Sequence, residues 1–287
     1  MDVPFRWDVA RREQLGSLPL GEEAPSYPGF EAELRTCCAR VVSAGQNSDF
    51  VFIGRSPESI FDYLSGAFAE TSWNDRLSLL NLSLRYTDSD ELKIGSGPDV
   101  HVLRRHIAAL GLAPDQIATR PRPVVLVDLV ADGTTLGAVT GALTEWAADE
   151  RVDVNALRRR IRFVGIVWRR KTSPNTWRWN QHAEWLEPFG RAVVKNVSIP
   201  GTLWDYLGNK QSKVSRTQPI SKWQNDEWRF EPPRDAENLE SLRLALRIYN
   251  HAGTAQEREQ FSRELAEQPS VSESWLRTLI GELRKTA

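Results

Sequence analysis

The run Pro123-Val124-Val125-Leu126-Val127-Asp128-Leu129-Val130-Ala131-Asp132-Gly133-Thr134-Thr135-Leu136 constrains this chain more than any other stretch. Val124 to Val127 is apolar at every position and mostly β-branched, and it is too short for a helix. It reads as a strand buried on both faces, the habit of parallel sheets. The strand ends in a carboxylate, passes through a small-residue loop at 128–134 and enters a predicted helix from Thr135 to Ala148. Strand, loop and helix in that order form one half of a parallel crossover unit.

The same alternation recurs. Asn47-Ser48-Asp49 breaks the chain before an apolar strand, Phe50 to Ile53, followed by Gly54-Arg55-Ser56-Pro57 and a helix from Ser59 to Phe68. Leu77 to Leu84 reads as a further strand, Asp99 to Leu112 as a helix closed by Gly111 and Pro114, and Val154 to Arg160 as a short basic helix. Ile161 to Trp168 and Arg191 to Ser198 read as strands. The fold class expected is α/β, a mainly parallel twisted sheet with helices on both faces, plus a C-terminal helical extension. We divide the chain into an N-terminal extension with a helix (1–44), an α/β core (45–232) holding a Trp-rich segment (169–230), and a C-terminal helical segment (233–287) beginning at Pro232-Pro233. The last segment reads as helices at Ala236 to His251, Ala255 to Glu267 and Ser272 to Lys285.

Composition narrows the function classes. The formal net charge of −1 among 287 residues leaves no global basic field for nucleic acid. No apolar run approaches the roughly 20 residues of a membrane span. The opening MDVPFRWDVARREQL lacks the apolar core of a signal peptide. Cys37 and Cys38 are the only cysteines and are adjacent, which argues for reduced thiols and a cytoplasmic setting and against a cysteine zinc site.

At 128–135 the residue types suit a sugar phosphate. Helix N-termini expose unpaired N–H groups and partial positive charge. Gly133 permits close backbone approach, Thr134 and Thr135 bring hydroxyls, and Asp128 can accept from sugar hydroxyls. This run resembles the type I phosphoribosyltransferase family, whose motif is an apolar strand, two acidic residues, an apolar pair and a Thr/Gly-rich loop. Counting back from Gly133 puts Asp128 on the second acidic position and Val127 on the first. The resemblance implies that Ala131, Asp132, Gly133, Thr134 and Thr135 hold the 5-phosphate of phosphoribosyl pyrophosphate (PRPP). It implies that Asp128 binds its ribose, with Asp128 and Asp132 as the catalytic candidates. Gly54, Arg55, Ser56 and Pro57 would form the pyrophosphate loop, with Arg85 on the same rim and Lys93 in a polar flap from Thr87 to Gly97. Mg²⁺ would arrive with PRPP, with no protein metal ligand named.

Eleven tryptophans, several of them between Trp168 and Trp228, are unusual. Most are expected to anchor an irregular segment, while Trp168, Arg169 and Trp204 are expected at an acceptor pocket. His101, His106, His182 and His251 lack metal-ligand spacing, and neither a nucleophile elbow, a Walker loop nor a dinucleotide fingerprint occurs. The function expected is transfer of the phosphoribosyl group to an unidentified acceptor with release of pyrophosphate, in nucleotide metabolism, with a homodimer as a candidate assembly. Val127 motivates a second reading, a regulatory protein that binds PRPP or a nucleotide without catalysis. The Trp/Arg segment motivates a third, a nucleic-acid-associated module, which the near-neutral charge disfavours.

Overall fold

A computed structural model describes residues 6–11, 15–18, 26–82, 100–169, 178–190, 193–215 and 234–286. Within them lie helices α1 (Phe30–Gly45) and α2 (Glu58–Phe68), strands β1 (Asp49–Ile53) and β2 (Leu77–Leu80), and helices α3 (Val100–Ala109) and α4 (Pro114–Thr119). There follow β3 (Val124–Leu129), α5 (Thr134–Asp149), α6 (Val154–Arg160), β4 (Ile161–Trp168), α7 (Trp179–His182), β5 (Val194–Ile199) and α8 (Gly201–Asp205), which runs into a π turn at Tyr206–Lys210. Helices α9 (Ala236–Ala252), α10 (Ala255–Ala266) and α11 (Ser274–Lys285) complete the described chain.

The five strands form one sheet, parallel throughout, in the order β2-β1-β3-β4-β5. The α/β class with a helical C-terminal region is therefore as expected. Alternate strand residues feed two cores. Phe50, Phe52, Val125, Val127, Val164 and Ile166 face α1, α2 and the C-terminal helices. Val51, Ile53, Val124, Leu126, Ile161 and Phe163 face α3 to α6. Both faces are covered, which is why the strands read as unbroken apolar runs.

Chain order reverses between β1 and β3. The turn after β1 enters α2 on one face, and the turn after β3 enters α5 on the other. Ligands of open parallel sheets sit at such switch points, beyond the carboxyl ends of the strands.

Several boundaries differ from the sequence reading. The β3 ladder runs two residues past the apolar run, Asp128 pairing with Gly165 and Leu129 with Ile166, because backbone pairing is indifferent to side-chain polarity. The loop is thus 130–133, and Asp128 belongs to the strand. Strand β2 stops at Leu80, and 83–84 lie outside the described residues. Pro114 does not merely follow a helix end; it opens α4 at its first turn, where a proline costs no hydrogen bond.

The terminal helices are tied to the sheet. Gly66 of α2 lies so close to α9 that an added Cβ would sit 2.1 Å from the Tyr249 carbonyl oxygen. Arg35 of α1 donates to Glu264 at 2.5 Å and to Glu257 at 2.9 Å, and the Tyr63 hydroxyl donates to Glu257 at 2.8 Å. Cys37 and Cys38 are buried, free thiols, and burial pushes Cys37 up to about 12. Among the described residues no helix is long and apolar enough to cross a membrane.

Candidate functional site

Register brings the two loops together. Phe52 pairs with Val127, which sets Ile53, the last residue of β1, beside Asp128, the penultimate residue of β3. Gly54 and Gly133 follow them, both left-handed, with φ of 77° and 87°. Each precedes a helix whose cap residue, Pro57 for α2 and Gly133 for α5, offers no side-chain bond to the helix amides. Both turns therefore present helix amides at the same rim of the sheet.

Around the β3 turn the sequence-predicted residues are assembled. Ala131, Asp132 and Thr134 are exposed, Thr135 is half-buried and Gly133 is buried. Asp132 Oδ1 accepts the Thr134 N–H at 3.0 Å, a local turn bond that shapes the loop. No acidic residue occupies the first turn of α5. Asp128 is 6% exposed and accepts the Leu129 N–H at 2.7 Å. Burial raises its carboxyl well above the usual range, the Leu129 amide works against that, and the Asp132 charge adds to it. Val127 points into the opposite core, fully buried.

Trp179 supports this turn from below. It is 2% exposed, and a Cβ on Gly133 or Gly165 would meet its ring at 2.4 and 2.7 Å. Its Nε1 donates to Asn196 Oδ1 at 2.7 Å, and Asn196 donates in turn to Asn180. Trp185 stacks on it at 6.2 Å. A cleft of about 470 Å³ runs along the flank of α5, between Thr134, Gly137, Glu145 and the His182–Trp185 stretch, and Asp132 reaches it.

The β1 turn has a different environment. The Gly54 N–H donates to the Leu80 carbonyl at 2.9 Å, which pins the turn to β2. Arg55 and Ser56 are half-buried and Pro57 is buried. Beneath them lies a charged cluster. Arg6 donates to Asp62 at 2.5 Å and lies 3.9 Å from Glu58. Lys213 donates to Gln211 Oε1 at 2.6 Å and approaches the Ser56 carbonyl at 3.5 Å. Burial pushes Asp62 up to about 6, with Arg6 opposing. Burial pushes Lys213 down to about 8, with Glu58 opposing and Arg55 adding. Burial likewise works against the Arg6 charge, but Asp62 and Glu58 more than offset it.

Trp168 and Trp204 stack at 6.3 Å at the carboxyl end of β4, on the same rim. Trp168 is 54% exposed, and Trp204 Nε1 donates to the Ile166 carbonyl at 3.3 Å. Arg169 is held against the end of β5 by bonds to the Ile199 and Ser198 carbonyls. Arg85, Lys93 and the expected flap lie outside the described residues. Trp179, Lys213, Arg6, Glu58 and Asp62 were not singled out from sequence; only Trp179 carried a signal, as one of the clustered tryptophans. Among the described residues no three His, Cys, Asp or Glu side chains group as metal ligands. Comparison with family models, with curated proteins and with solved structures finds no match.

Proposed function

We propose that this chain binds PRPP at the switch point and transfers its phosphoribosyl group to an acceptor, with release of pyrophosphate. The observation that carries this reading is the pair of glycine-led turns before uncapped helices, on adjacent parallel strands, with Asp128 between them. The β3 turn receives the 5-phosphate on the amides of 131–135, and Asp128 meets the ribose hydroxyls. The β1 turn receives the pyrophosphate, where Arg55 adds charge. Displacement at the anomeric carbon leaves negative charge on the pyrophosphate, which fixed amides and cations stabilise. Trp168, backed by Trp204, offers a face to a planar acceptor.

Mg²⁺ would ride on the ligand. Among its described residues the protein offers no three-ligand cage and no cation partner for the desolvated Asp128 carboxyl, which suits a ligand that carries one. Bound there, the ion supplies charge neutralisation of the leaving group.

The test is a melting-temperature shift with Mg²⁺ and PRPP. A ligand at about 100 times its dissociation constant stabilises the fold by roughly 2.7 kcal/mol. A shift in the wild type that Asp128→Ala abolishes supports the pocket, and no shift in the folded wild type rejects PRPP as its ligand. The buried Val127, at a position that is acidic in the phosphoribosyltransferase motif, favours a second reading, a protein that binds PRPP without turning it over. That reading expects the same shift but no pyrophosphate release with any acceptor.

A further inference from the structure

We propose that Lys213, from the segment after the π turn, is a binding residue for the diphosphate of the ligand, held against the β1 turn by a Ser59–Gln211 relay; this rests on the PRPP reading above. Ser59, in the first turn of α2, donates to Gln211 Oε1 at 2.9 Å, and Lys213 donates to the same oxygen at 2.6 Å. Gln211 is 8% exposed and Ser59 4%, so the acceptor is fixed in place. The ammonium is thereby aimed at the turn that begins at Gly54, with Ser56 at 3.5 Å.

Charge makes this more than a packing detail. An ammonium has three donors, and here two are spent, both on neutral oxygens. Among the described residues Lys213 makes no ion pair, while Arg6 is engaged with Asp62 and Glu58. A half-buried cation with no carboxylate in contact is costly, and Arg55 across the same turn repels it. An ammonium held against a left-handed glycine turn at a helix N-terminus is relieved by an anion bound there. A diphosphate held by Lys213 at the β1 turn supplies that charge.

The experiment titrates the full chain with Mg²⁺–pyrophosphate and, separately, with ribose 5-phosphate, for wild type, Lys213→Gln and Lys213→Arg. Loss of a charge-assisted contact predicts pyrophosphate affinity lower by about 10- to 100-fold in Lys213→Gln, with ribose 5-phosphate unchanged and Lys213→Arg partly restored. The wild type adds an arm that needs no loss of side chain. Lys213 faces Glu58 and Asp62 of α2, Arg55 of the turn and Arg6 of the N-terminal segment, and it loses its proton near pH 8. Pyrophosphate affinity should therefore fall as pH rises past that value in wild type but not in Lys213→Arg. A folded Lys213→Gln that binds pyrophosphate like wild type overturns the assignment. If Lys213→Gln does not fold, a wild-type pyrophosphate affinity that stays flat across that range overturns it. Wild type that binds ribose 5-phosphate but not pyrophosphate overturns it while leaving the 5-phosphate pocket intact. Wild type that binds neither overturns the PRPP reading and this assignment together.

Discussion

The turn after β1 and the turn after β3 have the same backbone plan, yet their charges come from different places. Each has a left-handed glycine followed by an uncapped helix. Around the β3 turn the nearby charges are two aspartates, Asp128 and Asp132, and the attraction for an anion comes from backbone amides. Around the β1 turn Glu58 sits in the first helical turn, where its charge competes with an incoming anion, and Arg6, Arg55 and Lys213 counter it. One turn is built by local geometry, the other is surrounded by charges carried in from distant parts of the chain. The first kind is cheap to encode but intolerant of any atom added to its glycine. The second tolerates backbone change better but depends on balanced partners.

The largest effect should come from removing the support under the β3 turn. Trp179→Ala deletes a buried indole that touches Gly133 and Gly165, and truncations of that size cost about 3–5 kcal/mol. Urea unfolding measures it. A cost below about 1 kcal/mol would mean that the turn is self-supporting, against the fixed cost of such a cavity.

Next, alanine at the two glycines separates the turns directly. Both positions are left-handed, which costs an L-residue about 1–2 kcal/mol. At Gly54 the added Cβ lies 3.2 Å from the Leu82 carbonyl oxygen, a contact that a slight shift relieves. At Gly133 it lies 2.4 Å from the Trp179 ring, which is buried and hydrogen-bonded. Gly133→Ala should therefore cost about 2–4 kcal/mol, and more than Gly54→Ala. Equal losses would show that Trp179 yields freely, and the contrast between a rigid and an adaptable turn would fail.

This asymmetry also decides how much could be read from sequence. The β3 turn is contiguous: strand, Asp128, Gly133 and helix lie within one short run, and periodicity plus turn chemistry exposed all of them. The strands and most helices were legible for the same reason. The β1 turn was legible only in outline. Arg6 meets Asp62 across 56 positions and Lys213 meets Ser56 across 157. Nothing local marks Lys213, in Gln211-Ser212-Lys213, as different from a solvated lysine. Trp179 stood in a visibly aromatic segment, but that it packs on Gly133 and Gly165 is a fact of the crossover from β4 to β5, which no pattern within the segment encodes. Asp128 reads as the start of a loop because a polar residue breaks the apolar run there, yet the ladder continues through it.

The smallest effect runs against the usual direction. Asp128 is a carboxyl raised by burial, with Asp132 adding to the cost and no cation beside it among the described residues. Its ordinary pKa in the unfolded chain is about 3.9. Below that value both states are protonated and the residue costs the fold nothing. As pH rises above it the unfolded chain ionises first, so Asp128 destabilises the native state increasingly until it ionises there too. Asp128→Asn removes that ionisation and keeps an oxygen for the Leu129 N–H. The variant should thus be more stable than wild type at neutral pH, a difference that closes toward pH 4. On the proposed PRPP reading it should also lose affinity for ribose 5-phosphate, because that reading has the Asp128 carboxylate meet the ribose hydroxyls. Urea titrations at the two pH values read the first effect and calorimetry the second. A gain in stability with unchanged affinity would assign Asp128 a burial cost without a binding role and move the ribose elsewhere. A loss of stability at neutral pH would mean that a partner for the carboxyl, supplied by the rest of the chain, already satisfies it, and the β3 turn would then be a charge-balanced site like its neighbour.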